Sequence, residues 1–274
     1  MPGTLQGAGT VSGLTNGTRP HPGLWQRLRR RLSRGSVPPT VFHVTHHKAG
    51  SQWIHRILLP LANERLVPPE VDNAKFLERP IEPGKVYPTV YVTRQQFDTV
   101  RVPPGSRRFV IIRDLRDTLV SVYFSVKHSH PILHERIQSR RAALHEMSLE
   151  DGLLYIIGQQ LAGIAQFQWS WLHAGEELIR YEDLLTHDEE ILARVLLKKC
   201  RFDIDPVQFR EIILANRFEA KAGRKPGEED IHSHERKGIA GDWKNYFTDK
   251  VTVTFKRFYG SILIATGYER DFNW

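Results

Sequence analysis

From residue 41 onward, short runs of β-branched and apolar residues alternate with longer stretches whose apolar residues recur at helical spacing. That alternation leaves room for little besides an α/β fold in which a central, mostly parallel sheet is flanked by helices. Strands are expected at VFHVT, TVYVT, RRFVIIRD and EELIRYEDL. Each is a candidate to end at a functional loop, because ligands of open α/β sheets collect beyond the carboxyl ends of strands. Helix limits are legible too. Ser148 with Asp151 forms a capping box for a long helix to about His173. Asp205 and Pro206 open another, and Thr248 caps a last helix that stops at Gly267.

No linker interrupts the chain after residue 40, so residues 41–274 are read as one domain and residues 1–40 as a tail. The tail explains most of the net charge of +8: it holds Arg19, Arg27, Arg29, Arg30, Arg31 and Arg34 and no acidic residue, leaving +2 for the rest. Rich in Gly, Thr, Ser and Pro, it is expected to be disordered apart from a helical turn around LWQRLRRRL. It is open to peripheral contact with a membrane surface or another polyanion. A nucleic-acid-binding protein would interleave stacking aromatics with its arginines, and this tail offers only Trp25. The longest apolar runs, FVII and LLYII, fall far short of the roughly 18 residues that read as a membrane span. The single Cys200 cannot form an internal disulfide and no apolar secretory core is visible, which together imply a cytoplasmic setting. The NGT sequon at Asn16 is then accidental.

The most informative local stretch is HVTHHKAGSQWIHRILL, residues 43–59: a strand, a turn at glycine, then a helical pattern. A strand followed by a tight turn and a helix aims backbone N–H groups and the positive end of the helix at one point, a natural seat for an anion. Lys48 supplies a charge, Ser51 a hydroxyl, and residues Ala49, Gly50, Ser51, Gln52 and Trp53 supply main-chain N–H groups. The loop lacks the spacing of a Walker sequence, so a nucleoside triphosphate kinase is disfavoured. Farther on, FVIIRDLRDTLVSVYFS places Arg113 just past a buried strand and Ser121 eight residues later. With a helix starting near Asp114, this pair could share a second phosphate, the arginine gripping two oxygens.

These residues resemble the soluble sulfotransferases that use 3′-phosphoadenosine 5′-phosphosulfate (PAPS). HKAGSQW is similar to that family's phosphosulfate loop at Lys48, Gly50 and Trp53, with Ser51 replacing a threonine. Arg113, Asp114, Asp117 and Ser121 match its 3′-phosphate motif, and RKGIAGDWKNYFT, residues 236–248, matches a third signature almost whole. The resemblance implies a P-loop-like phosphosulfate turn after the first strand and transfer of a sulfuryl group to a hydroxyl or amine. It further implies a second anion site from Arg113, Ser121, Arg236 and the Lys237–Gly238 backbone. Trp53 and Phe218 would hold the adenine between them, with Tyr181 reaching the purine.

Sulfuryl transfer needs in-line positioning and a cation for the growing charge on the leaving oxygen, a role that falls to Lys48 without a metal. His128, His130 and His134 are closely spaced, but nothing else about them suggests a metal site. The family's usual basic histidine is missing from VYVTRQQFD, where Tyr91 falls nearest its slot; His47, beside Lys48, is the other candidate. A catalytically weak protein that binds PAPS or its product PAP on the same fold is the alternative, separable by turnover of labelled donor. The acceptor is left open among small molecules, glycans and lipids, and the weakly patterned segment from Lys127 to Met147 is expected to form a mobile lid or a loop on its side.

Overall fold

In the computed structural model, which describes residues 37–68, 73–132 and 135–274, four strands form one parallel sheet. They are β1 (Val41–Thr45), β2 (Val86–Val90), β3 (Arg107–Ile112) and β4 (Leu178–Arg180), in the order β2-β1-β3-β4. Among the described residues eleven α-helices accompany them: α1 (Ser51–Ala62), α2 (Asn73–Glu78), α3 (Arg94–Asp98), α4 (Leu115–Phe124), α5 (Glu135–Glu146) and α6 (Leu149–Gln159) come first. Then follow α7 (Leu161–Leu172), α8 (Tyr181–Leu192), α9 (Pro206–Ala215), α10 (Phe218–Ala222) and α11 (Asp249–Ala265). The expected α/β class with a parallel sheet is what the chain forms.

Side-chain alternation places a core on each face of the sheet. Val41, Phe109, Ile111 and Ile179 meet Ile54, Ile57 and Leu58 of α1 on one side. Phe42, Val44, Val110 and Ile112 meet Phe97, Phe167 and Trp171 on the other. A third cluster, away from the sheet, joins α4, α6, α7 and α11 through residues such as Leu119, Ile156, Ile164 and Phe255. Cys200 is buried in the first core, and burial pushes its thiol up to about 12.

Three boundaries differ from expectation: the fourth strand, expected over EELIRYEDL, is only Leu178–Arg180, because residues from Tyr181 onward already form α8. The second strand is VYPTV rather than TVYVT. Its Pro88 is tolerated because β2 is the outermost strand, where one N–H per pair of residues needs no ladder partner. The long helix expected to reach His173 is two helices, broken at Gln160 with φ −132° and ψ −28°, although neither Gly nor Pro marks the break. The N-caps at Ser148, Asp205 and Thr248 form as expected, but the box at Ser148 does not close, since the Asp151 carboxylate accepts the Ser148 hydroxyl instead of its backbone N–H. The basic tail, the turn around LWQRLRRRL, the Asn16 sequon and His134 lie outside the described residues. Among those described, no helix is long and apolar enough to cross a membrane.

The chain order of the strands creates a switch point. From β1 the path goes to β2 on one side and then to β3 on the other, so the loops leaving β1 and β3 part company at their carboxyl ends. Into this crevice the segment 236–248 is tied by a carboxylate. Asp117 of α4 accepts the backbone N–H groups of Gly241 at 2.7 Å and Trp243 at 2.9 Å. Replacing Asp117 by Ala leaves both donors unpaired in a buried place, and urea unfolding should show a loss of about 3 kcal/mol. Asp117→Asn, which retains an acceptor oxygen, should lose less.

Candidate active site

The loops at the switch point enclose a cleft of about 1410 Å³. Its first wall is the turn between β1 and α1. Lys48 and Gly50 both have positive φ, 69° and 78°, which curls the backbone back under the start of α1. For lysine this is an unfavourable conformation, kept where surrounding structure enforces it. Gly50 is required twice over: a Cβ there would lie 2.8 Å from the Tyr181 ring. The first bond inside α1 runs from Ile54 N–H to the Gly50 carbonyl at 3.1 Å, so the N–H groups of Ser51, Gln52 and Trp53 are those left over at the helix start. Ala49 departs from expectation, because its N–H is given to the His46 carbonyl at 3.3 Å and its methyl is buried in the core.

The second wall leaves β3 at Arg113. Its Nη1 donates to the Lys48 carbonyl at 3.0 Å, its guanidinium lies 4.7 Å over the Tyr181 ring, and its Nε is buried with no partner. Of the two arginines near Asp114, it is Arg116 that the acid takes, at 2.7 Å, with Arg116 stacked between Trp243 at 4.1 Å and Trp274 at 4.4 Å. Arg113 is thereby left to the cleft, and among the described residues no carboxylate pairs with it or with Lys48. Ser121, two turns into α4, lines the same space. Desolvation, with Arg113 and Arg236 nearby, lowers the Lys48 ammonium to about 8.

The third wall is the segment from Glu235 to Ala240. Gly238, at φ 65°, lies so close to Phe218 that a Cβ would come within 2.4 Å of its ring. The glycine therefore lets the ring in, and Phe218 and Trp53 line one cleft. Arg236 is not free. It pairs with Glu229 and Asp242, donates to the Tyr246 hydroxyl at 3.1 Å, and packs 4.5 Å over Phe124. Lys237 pairs with Asp242 at 2.7 Å. The acidic run 228–230, outwardly a solvated loop, thus places one carboxylate on an arginine of the cleft.

Several residues absent from the expected set complete the site. His46 is wholly enclosed: its Nδ1–H donates to the His47 carbonyl at 2.8 Å, and its Nε2 accepts from Arg113 N–H at 3.2 Å and from Gln168 at 3.0 Å. Desolvation drops its pKa to about 3, so it stays neutral. Gln168 also donates to the Arg113 carbonyl at 2.7 Å, and nothing in the sequence pattern marks that glutamine. His234 lines the cleft two residues before the recognised RKG and feels the charge of Lys48. His47 is exposed to the cleft with its ring 4.3 Å from that of Tyr91. Tyr91 itself donates to Ser51 Oγ at 2.8 Å, and burial raises its pKa. Such a phenol keeps its proton, which removes the support for Tyr91 as a base and leaves it the part of orienting Ser51.

The profile described as "Sulfotransferase domain" matches residues 106–267, a span that includes the Arg113 and Arg236 walls but not the Lys48 turn. No curated protein matches by sequence. Among solved structures, mouse sulfotransferase SULT7A1 complexed with PAP aligns at TM-score 0.56 and 18% identity, covering 85% of this chain and 86% of that one. Retinol dehydratase with androsterone and inactive cofactor PAP aligns at 0.52 and 16%, covering 82% and 80%. The complex of retinol dehydratase with retinol and PAP aligns at 0.52 and 17%, covering 83% and 82%. At these identities the likeness establishes a shared fold.

The pairing of Arg236 generates an expectation of its own. A phosphate reaching Arg236 competes with Glu229, so Glu229→Gln should bind adenosine 3′,5′-bisphosphate more tightly, by about three- to tenfold in calorimetry.

Proposed function

This chain belongs to the sulfotransferase domain family, and on that premise we propose that it takes its sulfuryl group from PAPS within the cleft described above. One observation carries the reading: Lys48 and Arg113, joined through the Lys48 carbonyl, face one cleft with no carboxylate partner among the described residues. The groups present fit the nucleotide. The Lys48–Trp53 turn offers a cation, a hydroxyl and helix-start N–H groups to a 5′-phosphosulfate. Arg113, with its unpartnered Nε, joins Ser121, Arg236, Lys237 and Gly238 in facing a 3′-phosphate. Trp53, whose buried indole N–H also lacks a partner, and Phe218 flank the base, with Tyr181 beneath the phosphate turn.

When bound, PAPS would supply the sulfuryl group, its bond to the bridging phosphate oxygen breaking as the acceptor bonds to sulfur. The chain's own groups do the rest. Lys48 neutralises the charge arriving on that bridging oxygen. The acceptor's proton goes to a cleft imidazole. His46 is ineligible because both its nitrogens are engaged and it remains neutral far below pH 7. His47 is open to the cleft beside Lys48. His130 donates its Nδ1–H to the Pro131 carbonyl at 2.7 Å, which leaves Nε2 as an acceptor. These two are the candidates. The lone buried thiol of Cys200 is consistent with action in the cytoplasm.

The reading is tested by thermal denaturation. Adenosine 3′,5′-bisphosphate should raise the melting temperature well beyond AMP or ADP, since it alone meets both anion walls, and Arg113→Ala should abolish that preference. Equal shifts from all three nucleotides would reject the donor site. Lys48 adds a pH signature. Its lowered pKa means the charged form is lost as pH rises through about 8. In the free protein, kcat/KM for PAPS should therefore fall above that pH, whereas kcat should fall later because the bound anion restores the charge. Lys48→Met should cost about 3 kcal/mol in turnover and much less in PAP binding.

A further inference from the structure

The part of the cleft not used by the donor has a chemical character of its own. Its floor is apolar, built from the buried Val122, Val126, Ile164 and Phe167. Around it stand the amides of Gln159, Gln160 and Gln166. Over it lies α5, and this helix is unusual in what it buries. Leu144 is its one buried residue among those whose side chains are described. Hydrophobic burial alone gives α5 little reason to sit where it does. It is moored by Arg141, which donates through Nε to the Val126 carbonyl at 2.9 Å and through Nη2 to the His130 carbonyl.

With Leu144 and Arg141 turned to the protein, the cleft receives Arg136, Ile137 and Arg140. Arg136 and Arg140 are four residues apart, which on a helix makes them neighbours on one face. Among the described residues neither has a carboxylate partner, a hydrogen bond or an aromatic cover. Arg56, Arg94, Arg108, Arg116, Arg194, Arg210, Arg217 and Arg236 pair with acids, and the exposed Arg101, Arg201 and Arg270, which do not, lie outside the cleft that Arg136 and Arg140 line. Two adjacent like charges repel each other, an arrangement that an anion between them relieves. A guanidinium matches a carboxylate or sulfate with two parallel hydrogen bonds.

We propose that the acceptor is a hydroxyl compound that already carries an oxyanion, a carboxylate or a sulfate, and that Arg136 and Arg140 bind this group while the glutamine amides meet its other polar atoms. The inference rests on the donor assignment above and extends it to the second substrate. The anion on Arg136 and Arg140 is separate from the two phosphates of the nucleotide, which have Lys48, Arg113 and Arg236. It also fixes orientation. An acceptor anchored at α5 presents its hydroxyl toward Lys48 and the His47 and His130 rings from a set direction, with the apolar floor against its carbon skeleton.

The test uses matched pairs of phenolic, steroidal and saccharide hydroxyl acceptors. In each pair one member bears a carboxylate or sulfate and the other a neutral amide or alcohol, with PAPS as donor and the full chain as enzyme. The charged member of at least one pair should show a kcat/KM at least about tenfold higher, the effect of one charge-assisted contact. The carboxylate and sulfate arms identify which oxyanion is meant. In the Arg136→Gln/Arg140→Gln double variant the preference should disappear, the thermal shift with PAP should be unchanged, and Arg136→Lys/Arg140→Lys should restore part of the preference. Equal use of charged and neutral members, a preference that survives the double variant, or failure of every charged member while PAP binds would overturn the inference. Absence of a PAP shift in the wild-type chain is a different result: it rejects the donor site, and this inference with it.

Discussion

A neutral imidazole holds the site together. His46 gives its Nδ1–H to the carbonyl of its own loop and takes the backbone N–H of Arg113 on its Nε2. The loops that leave β1 and β3 at the switch point are thus joined by one ring. Gln168, from α7, closes the arrangement by bonding both the ring and the Arg113 carbonyl. A protonated ring would have no acceptor to offer Arg113, so the low pKa forced by burial is a condition of the geometry. The positions of Lys48 and Arg113, and the bond between them, depend on it.

The second organising theme is the sorting of arginines. Asp114 stands between Arg113 and Arg116, and sequence alone does not say which it takes. Capping decides the matter. Asp114 begins α4 and accepts the N–H of Arg116, which brings the guanidinium of that residue back onto the same carboxylate. Trp243 and Trp274 then cover it on both sides. Arg116 becomes a structural cation, and Arg113, pointing the other way over Tyr181, is left facing the cleft. Two residues of the same type, three apart, have opposite surroundings because one is inside the helix cap and the other precedes it.

The three segments that line the cleft were legible because each is contiguous in sequence and each requires glycine or a cation at a fixed offset from a strand or helix end. Lys48, Gly50, Arg113, Ser121, Arg236 and Gly238 all reach one cleft for that reason. What escaped notice depends on residues far apart in the chain. The hold of Gln168 on His46 spans 122 positions, and no local pattern marks it. The carboxylate of Glu229 sits in a run of acids that looks like ordinary solvated surface, and only the folded loop turns it onto Arg236. Tyr91 occupies the slot of a missing base by alignment, yet its hydrogen bond to Ser51 and its buried setting give a phenol that retains its proton. The shift of β2 toward Pro88 follows from its being an edge strand, a fact of topology rather than of composition.

The carboxylates of Glu229 and Asp242 set the charge balance at one end of this cleft. With them in place, Arg236 and Lys237 are already neutralised, whereas Lys48 and Arg113 have no carboxylate partner among the described residues. In the proposed donor site, arrival of a nucleotide at that end would exchange one anion for another. Small ions such as chloride or inorganic phosphate gain little from displacing a carboxylate that is tethered and therefore at high effective concentration. A ligand whose second phosphate is carried in on the same molecule meets the tether on equal terms. Selection for a doubly anchored ligand over the crowd of singly charged ones is thereby built into the resting charge balance of the loop.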